Sequence, residues 1–368
     1  MKHRLAALTV AVSLAVVACG DDGADTATSG PSTPASAAPP ETVAASAGSI
    51  TLVTYDSWPN ALDAVLEQFT ADTGVDVEVL RAGDTGTMVS KAVLTAGNPE
   101  GDVMFGVDNT FLSRVIDADV FEPYEAGGLD AVPAALRELT PEGEATPIDF
   151  GDVCVNYDKA WFTEAGLEPP ADLTALAEPQ YADLLVVQNP ASSSPGLAFL
   201  LATIAEFGED GWADYWTRLR ANGVQVVDSW EDAYYGAFSG AGDGDRPLVV
   251  SYGSSPPVEV VFADPPIDEA TTAVVDTTCF RQIEYAGVLA GTDHPDEARQ
   301  LIDFLLSETF QAEMPLNLFV YPANEDVALP DVFTANATVP SDPTSVDPAT
   351  ISANRETWLE TWTDTVLR

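Results

Sequence analysis

The feature that most constrains this chain is an alternation of strand and helix signals beginning at residue 49. ITLVTYDSW opens with a β-branched apolar run. The helical pattern ALDAVLEQFTADTG follows, then VDVEVLRAG, TMVSKAVLTAG and DVMFGVD. Leu62, Val65, Leu66 and Phe69 recur at helical spacing, and Gly74 marks the stop. Such β-α-β-α-β order demands a largely parallel sheet with helices against it, an α/β fold. Ligands of such sheets bind beyond the carboxyl ends of the strands. Tyr55-Asp56-Ser57-Trp58, Ala82-Gly83-Asp84-Thr85 and Gly106-Val107-Asp108-Asn109 each follow a strand, so they should gather at one edge.

A second alternating set starts near residue 150 with DVCVNYD, DLLVVQNPASSSPGLAFLLATIAEFG, VQVVDSW, DAYYGAFSGAG and PLVVSYGSSP. Beyond it come FRQIEYAGVLAG, a helix starting at His294-Pro295, and RETWLETWTDTVLR. His294 reads as a helix cap, and Pro295, Asp296 and Glu297 suit a first helical turn. Trp358 and Trp362, four apart, share one helix face and should bury there. No internal repeat is visible.

The start of the chain carries other information. MKHRLAALTVAVSLAVVACG has two basic residues, an apolar run and Val16-Val17-Ala18-Cys19. Residues 1–18 read as a lipoprotein signal peptide and Cys19 as the lipidated residue. Residues 19–48 are nearly all small, polar or proline and should form a disordered tether reaching roughly 30 Å. The apolar run is shorter than the ~20 residues of a spanning helix, so the lipid is the expected membrane attachment. Roughly 320 residues remain, more than one core usually holds, so two lobes are expected.

The net charge of -45 argues against nucleic acid and anionic lipid surfaces. It is compatible with a cationic ligand but equally with a surface solubilised by carboxylates. Beyond the leader the one histidine is His294. That leaves no Ser-His-Asp triad and no histidine–cysteine metal set, and no Walker or dinucleotide glycine motif is present. The chain therefore reads as no enzyme and no metal site, although carboxylate-based hydrolysis is compatible with its residues. Cys154 and Cys279 lie in strand-like runs. In an oxidising compartment they either pair as a disulfide or stay as buried thiols.

In order along the chain, YDSW, DVMFGVDN, NPASSSPGLAFLL, SWEDAYYGAF, LVVSYGSSP and FQAEMPLNLFVYPAN together resemble the thiamine-binding component of bacterial ABC importers. The resemblance covers almost everything beyond residue 49. It implies a two-lobed periplasmic-binding-protein-like fold of type II, with two crossing strands and ligand in the interlobe cleft. On it, residues 49–149 form the first part of lobe 1 and 150–278 form lobe 2. Residues 279–368 return to lobe 1 and end in helices. The crossings fall near Asp149–Cys154 and Asp276–Arg281, so a Cys154–Cys279 bridge would tie them together.

The resemblance also implies a ligand set. Tyr55 would stack on a ring, and Asp84 would accept from the pyrimidine amine. Thr85 stands where the family has glycine, with Gly86 one place later. Ser193 and Ser194, at a helix start, would meet hydroxyl or phosphate oxygens. Trp230 would stack, and Tyr252, Gly253, Ser254 and Ser255 would contact ligand with main chain and side chains. Phe319 falls where enteric members carry tryptophan. Glu284 would face the cation or form a buried structural pair, and Trp58 favours packing. The implied partners are thiamine, or its mono- or diphosphate, and an ABC permease. The protein would be a monomer without a cofactor on the extracytoplasmic face of the cell membrane. An iron(III)- or polyamine-binding protein of the same fold is the alternative.

Overall fold

A computed structural model describes residues 48–368. The signal peptide, Cys19 and almost all of the tether lie outside the described residues. Ten strands appear among the described residues: β1 (Gly48–Thr54), β2 (Val75–Arg81), β3 (Val103–Asp108), β4 (Phe121–Glu122), β5 (Thr146–Asp158), β6 (Leu185–Gln188), β7 (Gln225–Val227), β8 (Leu248–Tyr252), β9 (Thr272–Leu289) and β10 (Tyr321–Pro322). They join in the order β2-β1-β3-β9-β5-β8-β6-β7, with β4 on β9 and β10 on β5. β1 runs parallel to β2 and β3, and β6 runs parallel to β7 and β8. The long antiparallel pair β5–β9 carries the chain between these two parallel sets and makes two lobes of one α/β sheet.

The elements form for local reasons. The helix Asn60–Thr73 buries Leu62, Leu66 and Phe69 and ends at Gly74 in the left-handed conformation. In lobe 2, the helix Ser194–Phe207 is buried along most of its length and fills the space over β6 and β8. Pro295 opens the helix Pro295–Leu305, with Asp296 and Glu297 in its first turn. His294 occupies the cap position, yet its side chain makes no capping bond.

Cys154 and Cys279 are joined by a disulfide across β5 and β9. It sits where the β5–β9 register slips between Val153 and Val155, so it spans the passage between the lobes. After β10 the chain makes a third passage. Asn336 Oδ1 accepts from Ala270 N–H, Thr338 N–H donates to Gly253 O, and Thr344 pairs with Cys279 and Arg281.

The final helix, Pro348–Val366, then lies on both lobes. Toward its start Ser352 Oγ bonds Asp117 at 2.9 Å, and Arg355 lies over the Phe111 ring. Toward its end Trp358 Nε1 donates to Glu209, Trp362 packs edge-on against Trp216, and Thr365 O accepts from Arg220. Each buried aromatic pair of this kind contributes about 0.5–1.5 kcal/mol beyond its area.

Candidate functional site

The carboxyl ends of β1, β6 and β8, the segments after β2 and β7, and residues 317–320 surround a cleft of about 440 Å³. Tyr55, Asp84, Thr85, Ser194, Trp230, Tyr252, Ser255 and Phe319 all line it. Three further sequence candidates do not. Ser193 and Ser254 are fully buried behind the wall. Gly253 lies outside the lining, its N–H donating to Asp152 O and its C=O accepting from Thr338 N–H.

Tyr55 reaches its place because Gly106 lets it. A Cβ at Gly106 would come within 2.4 Å of the Tyr55 ring, and the φ of +97° there suits only glycine. The ring lies on β3, tilted against Phe105, and its hydroxyl donates to Glu284 Oε2 at 3.2 Å. Trp58 is packed between Phe105 and Phe310 with Nε1 bonded to Asp63, so it contributes wall rather than a free stacking plane.

Trp230 is a prepared plane. Its Nε1 donates to Ser251 Oγ at 2.9 Å, and it stacks on Tyr234 with centroids 5.0 Å apart. Ser251 in turn shares a hydroxyl contact with Ser255, which also accepts from Tyr252 N–H. The run EDAYYGAF forms a π-helical turn over Asp232–Ala237. That widened turn buries Tyr234, whose hydroxyl bonds Glu259, and leaves Tyr235 half-exposed on the cleft wall. Tyr235 is a lining residue that helical periodicity could not separate from its neighbour.

Asp84 caps the helix Thr85–Leu94, accepting from Thr85 N–H at 2.7 Å. Gly86, one residue on, makes the close approach between lobes. Its N–H donates to Ser192 O at 2.9 Å, and a Cβ there would strike the Ala191 and Ser192 carbonyls. At the mouth, Phe319 of lobe 1 meets Phe262 of lobe 2 with centroids 6.0 Å apart. Phe319 holds a φ of +56°, a strained conformation of the kind that collects at functional sites. The two lobes thus touch on either side of the cleft.

The floor is acidic. Burial raises the Asp84 carboxyl to about 6, opposed by donation from Thr85 and the Trp230 N–H. Ser193 Oγ makes no hydrogen bond of ordinary geometry but lies close enough to favour the ionised form of Asp84. Burial also raises Asp108 to about 6 and pushes Asp149 and Glu284 up, with Glu284 further penalising charge on Asp149, and Asp108 and Asp84 penalising it on Glu284. Glu284 accepts from Gln282 as well as Tyr55. Residues 108, 149 and 284 come from three distant strands, so no local motif gathers them.

The sign of the resulting pH dependence is fixed. These carboxyls titrate higher in the folded than in the unfolded chain, so the folded state holds more protons and stability falls as pH rises. For Asp84 and Asp108 the loss runs from the ordinary aspartate value of 3.8 up to about 6, and for Glu284 it continues higher. The empty protein is expected to melt lower near pH 8 than near pH 5, with Asp84 and Asp108 each contributing about 1.4 kcal/mol over that window and Glu284 more. Thermal melts across this range check it, and a rising midpoint would clear these groups of the effect.

Comparison with known proteins adds the family. Residues 98–341 match the family described as bacterial extracellular solute-binding protein. The chain is similar to the thiamine-binding periplasmic proteins of Salmonella typhimurium and Escherichia coli. It is 28% identical to each over 325 residues, covering 87% of this chain and 94% of theirs. Among solved structures, a periplasmic thiamin binding protein superposes with a TM-score of 0.75 at 27% identity, over 87% of this chain and 96% of that one.

Proposed function

Because the chain belongs to the bacterial extracellular solute-binding protein family, we propose that it captures thiamine in the interlobe cleft and hands it to an ABC permease. It works as a monomer at the outer face of the cell membrane, held by a lipid on Cys19. Among the described residues no helix is long and apolar enough to cross a membrane. The family transports solute and gives no reason to look for turnover.

The observation that carries this reading is the convergence of Tyr55, Trp230, Tyr235 and Tyr252 with Asp84 and Glu284 on one cleft. Thiamine has two flat rings, one an aminopyrimidine and one a cationic thiazolium. Rings stack on aromatics, and the cation gains ~0.5–2 kcal/mol on each such face. Asp84 is placed for the amine. The buried, unpartnered Ser194 Oγ suits the hydroxyethyl oxygen. Stacking alone falls short of the roughly 12 kcal/mol of a nanomolar complex. The remainder comes from enclosure, since the lobes close over the ligand and exclude water.

An iron(III) site of adjacent tyrosines does not form, because Tyr234 is turned away to Glu259 and Tyr235 alone faces the cleft. A polyamine would use the same acidic and aromatic lining, so a spermidine titration beside that with thiamine separates the two. Titration is expected to quench tryptophan fluorescence at sub-micromolar thiamine, while ferric citrate gives no tyrosinate–iron colour. Colour with iron and no response to thiamine would reverse the assignment.

A further inference from the structure

Glu284 is buried, yet it lines the cleft. Asp108 on β3 stands opposite it, and so does Asp149 on β5, which makes a row of three carboxyls across the sheet. Directly opposed residues of antiparallel strands project from one face, with Cβ atoms about 4.5–5.5 Å apart. Like charges that close in a buried place do not all ionise together. Tyr55, Tyr252, Gln282 and Asp84 complete the groups that face Glu284, and none of them is basic. The arginines around the cleft and the sheet are committed elsewhere. Arg281 pairs with Asp152, Arg355 lies over Phe111, and Arg81 pairs with Asp63.

The three carboxyls differ in what steadies a charge on them. Asp108 Oδ1 accepts from the Thr110 N–H, the Thr110 hydroxyl and the Phe111 N–H, so Asp108 is the member equipped to ionise in the empty site. Asp149 is wholly buried with neither oxygen hydrogen-bonded, and it keeps its proton. Glu284 lies between these extremes. The Tyr55 hydroxyl donates to its Oε2 at 3.2 Å, and the Gln282 amide donates to its Oε1 at 3.2 Å. Those donors suit a carboxylate, but burial and the neighbouring Asp108 charge hold Glu284 at about 8. A positive charge close by favours the ionised form and tips this balance. Glu284 is the one member of the row on the cleft wall, so it is the one an arriving cation meets.

We propose that Glu284 is a proton-exchanging counter-ion, whose carboxyl gives its proton to solvent as the thiazolium seats over it. The inference rests on the thiamine reading and adds a proton to its balance. The O–H bond of the carboxyl breaks, its electron pair stays on the oxygen, and the proton leaves to water while the lobes are still apart. One positive charge enters and one leaves. The buried row and its surroundings therefore carry the same total charge full as empty. The empty cleft avoids an unpaired carboxylate beside Asp108, and the filled one gains an ion pair held by the Tyr55 and Gln282 donors.

Calorimetric titration of the full chain with thiamine near pH 7, in buffers of low and of high ionisation enthalpy, counts the protons. Release of roughly one proton per thiamine is expected. In Glu284→Gln, which copies the shape of the neutral acid, binding is expected to persist more weakly while the release falls to near zero. Asp84→Asn, which removes the other raised carboxyl of the lining, is expected to leave the release in place. From pH 6 to pH 8 the affinity of the unsubstituted protein should rise at least ~10-fold, and that of Glu284→Gln only about 2-fold, the part due to Asp84. The unsubstituted protein decides the matter even where a variant does not fold. Thiamine bound without proton release, or release undiminished in Glu284→Gln, overturns the inference and leaves the thiamine reading intact. No binding of thiamine at either pH overturns both.

Discussion

Breaking the Cys154–Cys279 bridge, by reduction or by a Cys154→Ser/Cys279→Ser pair, is expected to cost about 2–4 kcal/mol of stability. The two cysteines are 125 residues apart. A loop of that length sets an upper bound of about 5 kcal/mol from chain entropy alone. The native-state consequences point the same way. Cys154 pairs with Ser251 in the β5–β8 register, directly before Tyr252, and a Cβ on Gly253 would lie 3.5 Å from Cys154 Sγ. The bridge therefore backs the wall on which Tyr252 and Ser255 stand. Urea unfolding with and without reductant measures the effect. A midpoint unmoved by reductant would mean that the bridge constrains nothing, or is not formed in the cell.

Replacing Trp230 with Ala is expected to weaken thiamine binding by about 10- to 100-fold, equivalent to ~1.4–2.7 kcal/mol. The substitution removes a ring plane that Ser251 and Tyr234 hold in one orientation. A fixed plane loses little freedom when a ligand stacks on it. Trp230 is only partly buried, so the melting temperature of the empty protein should change little. Trp230→Phe, which keeps an aromatic face, should recover most of the affinity. Unchanged calorimetric affinity in Trp230→Ala would take the residue out of the site.

The strand-end logic that placed Tyr55 and Asp84 on one edge needed only the order of strands and helices. Each of these residues follows an apolar run, and a parallel sheet aligns the ends of such runs. The indole pair Trp358–Trp362 was legible for a similar reason, since four-residue spacing fixes one helix face. Both indoles are buried. The acidic row was not legible, because it depends on β3, β9 and β5 meeting in a particular register. A slip of one residue would turn every side chain to the other face. The fates of Tyr234 and Tyr235 were likewise hidden, because a π-helical turn alters the residue spacing that periodicity assumes. The sequence spoke for the Tyr252–Ser255 loop as a whole. It could not say that Gly253 N–H and C=O would pair within the protein while Tyr252 and Ser255 faced outward.

The last helix bears on how far the empty protein can open. Its lobe 1 end is fastened by one hydroxyl–carboxylate bond and one guanidinium over a ring. Its lobe 2 end is fastened by packed indoles and an arginine clasp on a carbonyl. When the lobes part, the weaker fastening yields first, so the helix rides with lobe 2 like a book's spine glued to one cover. A catch of this strength, on the order of 1–2 kcal/mol, is easily undone. The cargo's own contacts then decide how long the cover stays closed.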